Sequence, residues 1–365
     1  MMWSGAREPG TAEQTLAPGE VANAMSVAAR APSIHNSQPW KFRPGSQGIE
    51  LLADPDRKLT AVDPEGRELM ISCGAAIFGL RLGLRGVGRI PAIALLPDPA
   101  QPLLVGRVRP AGHAARTTAE GDLIRAVPHR HTHRGPFTPG DVPARLIATM
   151  QADAAAEGCE LRVITDPRVI GRLGHLVRRA AAHQRADAAI TAELGRWLRT
   201  PGSQARDGVP ASARLAAEVR PAQLATLAGY GARLHRLRRS ATGLPKRLPA
   251  RDFGLPGTEQ RGGEPPSATA VLITGGDTAV DWLRAGQALD RVLLRAAARW
   301  VFASLQSQPL ESRRYRQAVQ TLLGGNGYPQ LLLQFGRSNT APATPRRPQA
   351  EMLVSDETRG ALNHR

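Results

Sequence analysis

Four arginines in two short segments are the residues whose types and spacing could first do chemistry: Arg130-His131-Thr132-His133-Arg134 and, far downstream, Arg346-Arg347. In an extended backbone, side chains two apart share a face, so Arg130, Thr132 and Arg134 can converge on one anion with two guanidinium forks and a hydroxyl. The alternating His129, His131 and His133 could instead suggest metal ligands. Neighbouring arginines would repel a cation, and no carboxylate or cysteine follows at ligand spacing, so a His-Arg strand edge is the plainer reading. A third stretch, Ala31-Pro32-Ser33-Ile34-His35-Asn36-Ser37-Gln38-Pro39-Trp40, mixes small, polar and aromatic residues that no regular element could use. Pro32 and Pro39 fix their own φ and push the preceding residues extended, which sets Ser33 and Asn36 between two rigid points. Those two side chains either contact a ligand or bond their own backbone in a turn. No G-x-S-x-G elbow or P-loop occurs, so hydrolase and NTPase readings lack a site.

The decapeptide closely resembles the A-P-S-x-x-N-x-Q-P-W element of the nitroreductase superfamily, the FMN-dependent α+β oxidoreductases. Residues 130–137 resemble that family's R-x-[ST]-x-R-x-F segment, Ile71-Ser72-Cys73-Gly74-Ala75-Ala76 its S-x-G-x-A central helix, and Arg346-Arg347 its [KR]-x-R-x-P-type C-terminal element. FMN carries a phosphate dianion at one end and a ring edge that becomes negative on reduction, so its site needs arginines at one end and donors at the other. The resemblance implies that Pro32, Ser33 and Asn36 lie against the isoalloxazine ring. It implies Arg130 on the phosphate, Thr132 on the phosphate or ribityl chain, and Arg134 on the N1–C2 edge. Arg346 or Arg347 would add phosphate charge, and backbone amides at Ser307 and Gln308 would face N5. Ordinary members are homodimers whose sites each draw on both subunits. Here one chain holds both contributions, the loop early and the arginine segments late, which resembles the fused pseudo-dimer of the Acg branch and implies one FMN per chain. The implied activity is NAD(P)H-dependent reduction of a nitro, quinone or similar small-molecule acceptor; the alternative is an FMN store with a closed lid. A monomer or weak dimer is expected.

The elements that must position these residues follow from periodicity. The expected fold is α+β, two related halves of mixed antiparallel sheets flanked by helices, over residues 18–112 and 113–350, with a disordered start (1–17) and a tail (351–365). In residues 20–29, Val21, Ala24, Met25 and Ala28 recur at helical spacing, and Pro32 ends the run. A strand is expected over 49–53, a helix over 65–86 and a second strand over 103–108, with the pattern loosening around 111–121. On the long helix Gly74, Ala75, Gly79 and Gly83 keep one side small, to admit either another helix or a cofactor edge. Further on, Asp141 and Pro143 read as cap and first turn of a helix to about 157, and 161–164 as a strand. Asp166 reads as the cap of a helical stretch to 199 that is interrupted near 183–187. Residues 200–266 are rich in Gly and Pro and read as a lid over a ligand or as disorder. A strand (268–274), a helix capped by Asp277 (278–305), a turn with a helix to 323, and a closing strand (330–335) complete the chain.

With 365 residues and 42% hydrophobic content the chain can bury a large core. It has no apolar run of about 18 residues of the kind a membrane span needs and no apolar h-region in its first twenty residues, so a cytoplasmic protein with no membrane partner is expected. Cys73 and Cys159 make no disulfide framework. The net charge of +17 is almost all arginine, since Lys41, Lys58 and Lys246 are the only lysines. Such a surface attracts anionic cofactors, acidic lipid or nucleic acid. The densest run, residues 233–239, reads as a solvated helix face before a binding stripe. Aromatics at 4% leave little to stack on bases, so nucleic acid is a minor reading.

Overall fold

The computed structural model describes residues 15–45, 48–200, 202–210, 268–341 and 344–354. Residues 1–14 of the expected disordered start, 211–266 of the expected lid, the 233–239 basic run and residues 355–365 of the expected tail lie outside the described residues.

Two antiparallel sheets with one strand order organise the chain. The first half begins with α1 (Pro18–Ala28), opened by Pro18 and by Glu20, whose carboxylate accepts the Ala17 amide at 2.8 Å. It continues through β1 (Trp40–Gly45), β2 (Gly48–Ala53), α2 (Arg67–Gly86), β3 (Arg89–Leu95) and β4 (Leu104–His113), in sheet order β1-β2-β4-β3. After α3 (Thr118–Ala126), the second half runs α4 (Ala144–Ala155), β5 (Cys159–Ile164), α5 (Pro167–Ala186) and α6 (Ala188–Arg196). A two-stranded parallel pair follows, β6 (Leu198–Arg199) with β7 (Val209–Pro210). Then come β8 (Ala268–Thr274), α7 (Ala279–Ala297), β9 (Val301–Leu305), α8 (Gln308–Glu311), α9 (Arg313–Leu322) and β10 (Tyr328–Arg337). The second sheet is ordered β5-β8-β10-β9. With β5, β8, β9 and β10 read as the second half's first to fourth strands, the two orders coincide, and each half places its long helix between its second and third strands.

The long helices α2 and α7 cross at bare backbone. A Cβ at Gly74 would stand 2.1 Å from the Leu283 carbonyl oxygen, and one at Gly286 would stand 2.0 Å from that of Ile71. Each glycine follows its own helix's contacted carbonyl by three residues, so the contact repeats under a two-fold relation. Gly79 and Gly83 press on Ala28 and Ala24 of α1. The small face of α2 is therefore helix contact and not a cofactor edge. By length and composition α2 passes as a membrane span, contrary to the expectation that no such run exists, but most of it is buried inside the protein. Ile71 packs in the second half's core and Leu283 in the first half's, and the C-terminal arm sends Met352 into the first core. The amide of Val354 donates to Phe42 of β1 at 3.0 Å.

Several expected boundaries move. The helix placed over 278–305 stops at Ala297; Trp300 takes a left-handed turn at φ 54°, and the last five residues become β9, buried against β10. A continuous apolar run reads the same as buried helix or buried strand, and pairing decides. β1, β3 and α3 are additions, the last opened by a Thr117–Glu120 capping box. Asp141 caps nothing: Pro143 is the residue before α4, which ends at Ala155. Thr278, not Asp277, caps α7, boxed with Asp281, while Asp277 accepts hydrogen bonds from Trp282, Gln330 and Arg316. Asp166 does cap α5, and the interruption falls at Asp187, which caps α6.

Candidate functional site

The loop between α1 and β1 is held in a conformation that few side chains adopt. His35, Asn36 and Gln38 all have positive φ, at 46°, 56° and 51°. Such backbone persists only where its surroundings over-determine it. The Ser33 hydroxyl accepts the Gln38 amide at 3.0 Å, which is the turn role. Asn36 reaches outward instead: its Nδ2 donates to the carbonyls of Gly208 (3.2 Å) and Pro345 (3.1 Å), and its Oδ1 accepts from Arg346 at 2.9 Å. Gln38, fully buried, donates to the Arg206 carbonyl at 2.9 Å and accepts the Arg347 amide at 2.9 Å. The loop thus gathers the far end of the chain and residues 206–208 around itself.

Beside it lies a cavity of about 490 Å³, within the range typical of small-ligand pockets. The first half contributes Pro32, Ser33 and Asn36; the second contributes residues 130–136, Thr138, 338–340 and 344–346, with Gly208 and Val209 at one side. Residues 130–134 are not a strand. One parallel bridge, Thr132 to Ala303, fixes them along the edge of β9, with the His133 amide donating to the Ala303 carbonyl at 2.8 Å. Consequently His131 and His133 line the cavity along with Arg130, Thr132 and Arg134, and the alternation expected of a strand does not sort them to opposite sides. The His131 ring lies 4.4 Å from that of Phe302, and the His133 ring stacks on Phe137 at 4.6 Å. His129 stacks on exposed Trp300.

At one end of the cavity the charges are like. Arg130 and Arg346 both donate to the Arg30 carbonyl, Arg346 at 3.0 Å. Desolvation, followed by Arg130 and Arg30, lowers the Arg346 guanidinium to about 9. Burial lowers Arg130 too, with Asp290 opposing. Arg346 Nε is buried without a hydrogen-bond partner. Guanidinium groups crowded together with an unspent donor fit a phosphate-sized anion. Arg347 faces elsewhere: its Nη1 donates to the Gln38 carbonyl at 3.2 Å and its Nη2 to that of Glu351 at 2.6 Å, while Asp54 lies 3.9 Å away. Of the expected pair, Arg346 lines the cavity and Arg347 ties the arm down. Ser307 and Gln308 are not brought to this cavity among the described residues; Gln308 lines a separate one of about 280 Å³ with Asp63, Arg67 and Glu311.

Sequence reading missed Asp290, the buried carboxylate behind Arg130, and the structural tie made by Gln38. Asp290 carried no signal, being one acid in an amphipathic helix, whereas Gln38 stood inside the quoted loop.

No family model matches the sequence. Two Mycobacterium tuberculosis (strain H37Rv) proteins that share the name "Putative NAD(P)H nitroreductase" match over nearly their whole length. One is 32% identical over 345 residues, covering 91% of this chain and 90% of that protein. The other, whose name adds acg, is 28% identical over 346 residues, covering 91% and 95%. Among solved structures, the FMN-dependent nitroreductase NfnB from Mycobacterium smegmatis in complex with NADPH aligns at 17% identity, covering 65% of this chain and 98% of that one, with a TM-score of 0.38. A nitroreductase with bound FMN from Desulfitobacterium hafniense aligns at 10% identity, covering 64% and 97%, with a TM-score of 0.36. Likeness that distant adds nothing to the full-length sequence relationship, by which this chain belongs to the NAD(P)H nitroreductase family, in the branch that includes acg.

Proposed function

We propose that this protein binds one FMN per chain in the cavity between its halves and uses it as an NAD(P)H-dependent oxidoreductase. The observation that supports this most is the joint lining: Pro32, Ser33 and Asn36 from one half meet Arg130, Thr132, Arg134 and Arg346 from the other. Arg130 and Arg346 would hold the phosphate, and the Pro32–Ser33 wall would face the ring. When bound, FMN supplies two-electron chemistry, taking hydride from NAD(P)H and passing electrons to a nitro, quinone or similar acceptor. The chain's own residues would bind, orient and shield it. Released flavin counted against purified chain tests this, with one FMN expected; two, or none after reconstitution, overturns it.

A second reading, an FMN store, is favoured by the way residues 206–208 close on the loop. Gly208 exchanges backbone and side-chain hydrogen bonds with Asn36, and Asp207 pairs with both Arg57 and Arg199. A nicotinamide must stack on an open ring face to deliver hydride. Anaerobic mixing with NADPH separates the readings: slow bleaching that accelerates in Asp207→Ala supports storage behind a gate, and brisk turnover of a nitroaromatic by the intact protein refutes it.

A further inference from the structure

Asp290 stands behind the arginines, on α7, only 3% exposed. Its Oδ1 lies 3.8 Å from Arg130 Nε and has no hydrogen-bond partner. Arg130 and Arg346 are the charged groups that act on it. The next charged residue on its own helix, Arg291, is committed to Asp153 and Glu157. A carboxylate buried against an arginine without a direct hydrogen bond is poorly compensated. It also occupies the neighbourhood of the charge that an incoming phosphate would use. Arg30, Arg130 and Arg346 carry three positive charges, and an ionised Asp290 cancels one of the three that a phosphate dianion would meet.

We propose that Asp290 is a built-in competitor for the cofactor phosphate, so that its ionised form weakens the grip on FMN and its neutral form strengthens it. This rests on the FMN reading above. A dianion arriving beside Arg130 repels the Asp290 carboxylate, which takes up a proton; cofactor affinity therefore rises as pH falls from 8 towards 6. Burial already holds the carboxyl at about 6, where such uptake is cheap. The phosphate's own second ionisation also falls near 6, so the contribution of Asp290 must be read as a difference.

The test compares FMN and riboflavin binding by flavin fluorescence in the full-length protein and in Asp290→Asn between pH 5.5 and 8. At pH 8 the variant should bind FMN about tenfold tighter, the gap should close towards pH 5.5, and riboflavin, lacking phosphate, should not distinguish the two. Equal or weaker FMN binding by a natively melting variant, or a gap that does not narrow, overturns the proposal. Should the variant not fold, calorimetry on the unaltered protein decides: FMN binding at pH 7.5, measured in buffers of different ionisation enthalpy, should take up protons that riboflavin binding does not, and no uptake overturns it. If the unaltered protein binds no FMN, the cofactor reading fails by itself. Inorganic phosphate, read by thermal shift, then decides: greater stabilisation of Asp290→Asn than of the unaltered protein at pH 8 supports the competitor role, and equal stabilisation overturns it.

Discussion

The first half of the molecule holds helix α1 on α2 through Gly79 and Gly83 lying on Ala28 and Ala24, backbone against backbone. In the second half α4 shares an apolar cluster with α7 and adds charge to it: Asp153 accepts from Arg291 at 2.8 Å and Arg295 at 2.6 Å, and Glu157 from Arg291 at 2.9 Å and from Arg81 of α2 at 2.6 Å. The strand orders coincide, yet the connections diverge. Between α1 and β1 a loop of residues 29–39 builds the cavity, whereas residues 156–158 turn tightly from α4 into β5. The β1–β2 connection is the two residues 46–47, and its counterpart runs from 165 to 267. Four residues beyond Gly286 stands Asp290; four beyond Gly74 stands Phe78, in an apolar cluster with Leu82, Leu123 and Phe302. A repeated frame can thus keep its topology while, among the described residues, the loop, the arginines and the acid gather at one of the two equivalent places.

The two-fold relation is most exposed at the helix crossing. Gly74→Val and Gly286→Val should each cost about 3 kcal/mol or more, because neither helix can retreat without moving both sheets. Denaturant melts should show similar losses at the two positions, and tolerance at one of them would break the symmetry of the contact. Next in size is the effect of pH through Asp290, raised from an ordinary 3.8 to about 6 by burial. A raised acid binds its proton more tightly when folded, so its contribution is present below about pH 4 and lost as pH rises through 6, amounting to roughly 2–3 kcal/mol in the flavin-free protein. Asp290→Asn should flatten that part of the stability curve, while Phe78→Leu should leave its shape unchanged. Arg130→Ala should weaken FMN binding about tenfold or more and spare riboflavin. Arg347→Ala should lower the melting temperature without that phosphate-specific loss; the reverse pattern would exchange the roles of Arg346 and Arg347. The smallest effect is expected from salt at the charged contact: Asp153 is buried between Arg291 and Arg295, so Asp153→Asn should cost about 3 kcal/mol, and that cost should fall only slightly in 1 M salt. Gly83→Ala, at the uncharged counterpart, should show no such salt dependence.

Local pattern located α1, α2 and the strand Ala268–Thr274, because each carries a repeat or an apolar run between stops such as Pro32, and the Asp166 cap with an Arg- and Ala-rich stretch of helical propensity located α5. The quoted loop and the residues 130–134 pointed to the site as local strings, and the cavity does bring Pro32, Ser33, Asn36, Arg130, Thr132 and Arg134 together. What stayed hidden was non-local. Residues 301–305 continue a helical run in sequence and become β9 because β10 offers them a ladder. Arg346 and Arg347 are adjacent and alike, yet one lines the cavity and the other fastens the arm, since only the packed positions of Asn36 and Gln38 distinguish them. Asp290 is one polar residue on an amphipathic helix until the fold sets Arg130 beside it. Local spacing determined which side chains could share a face; the meeting of two halves more than a hundred residues apart decided which charges would be buried together, because desolvation and Coulomb attraction depend on distance in space and not along the chain.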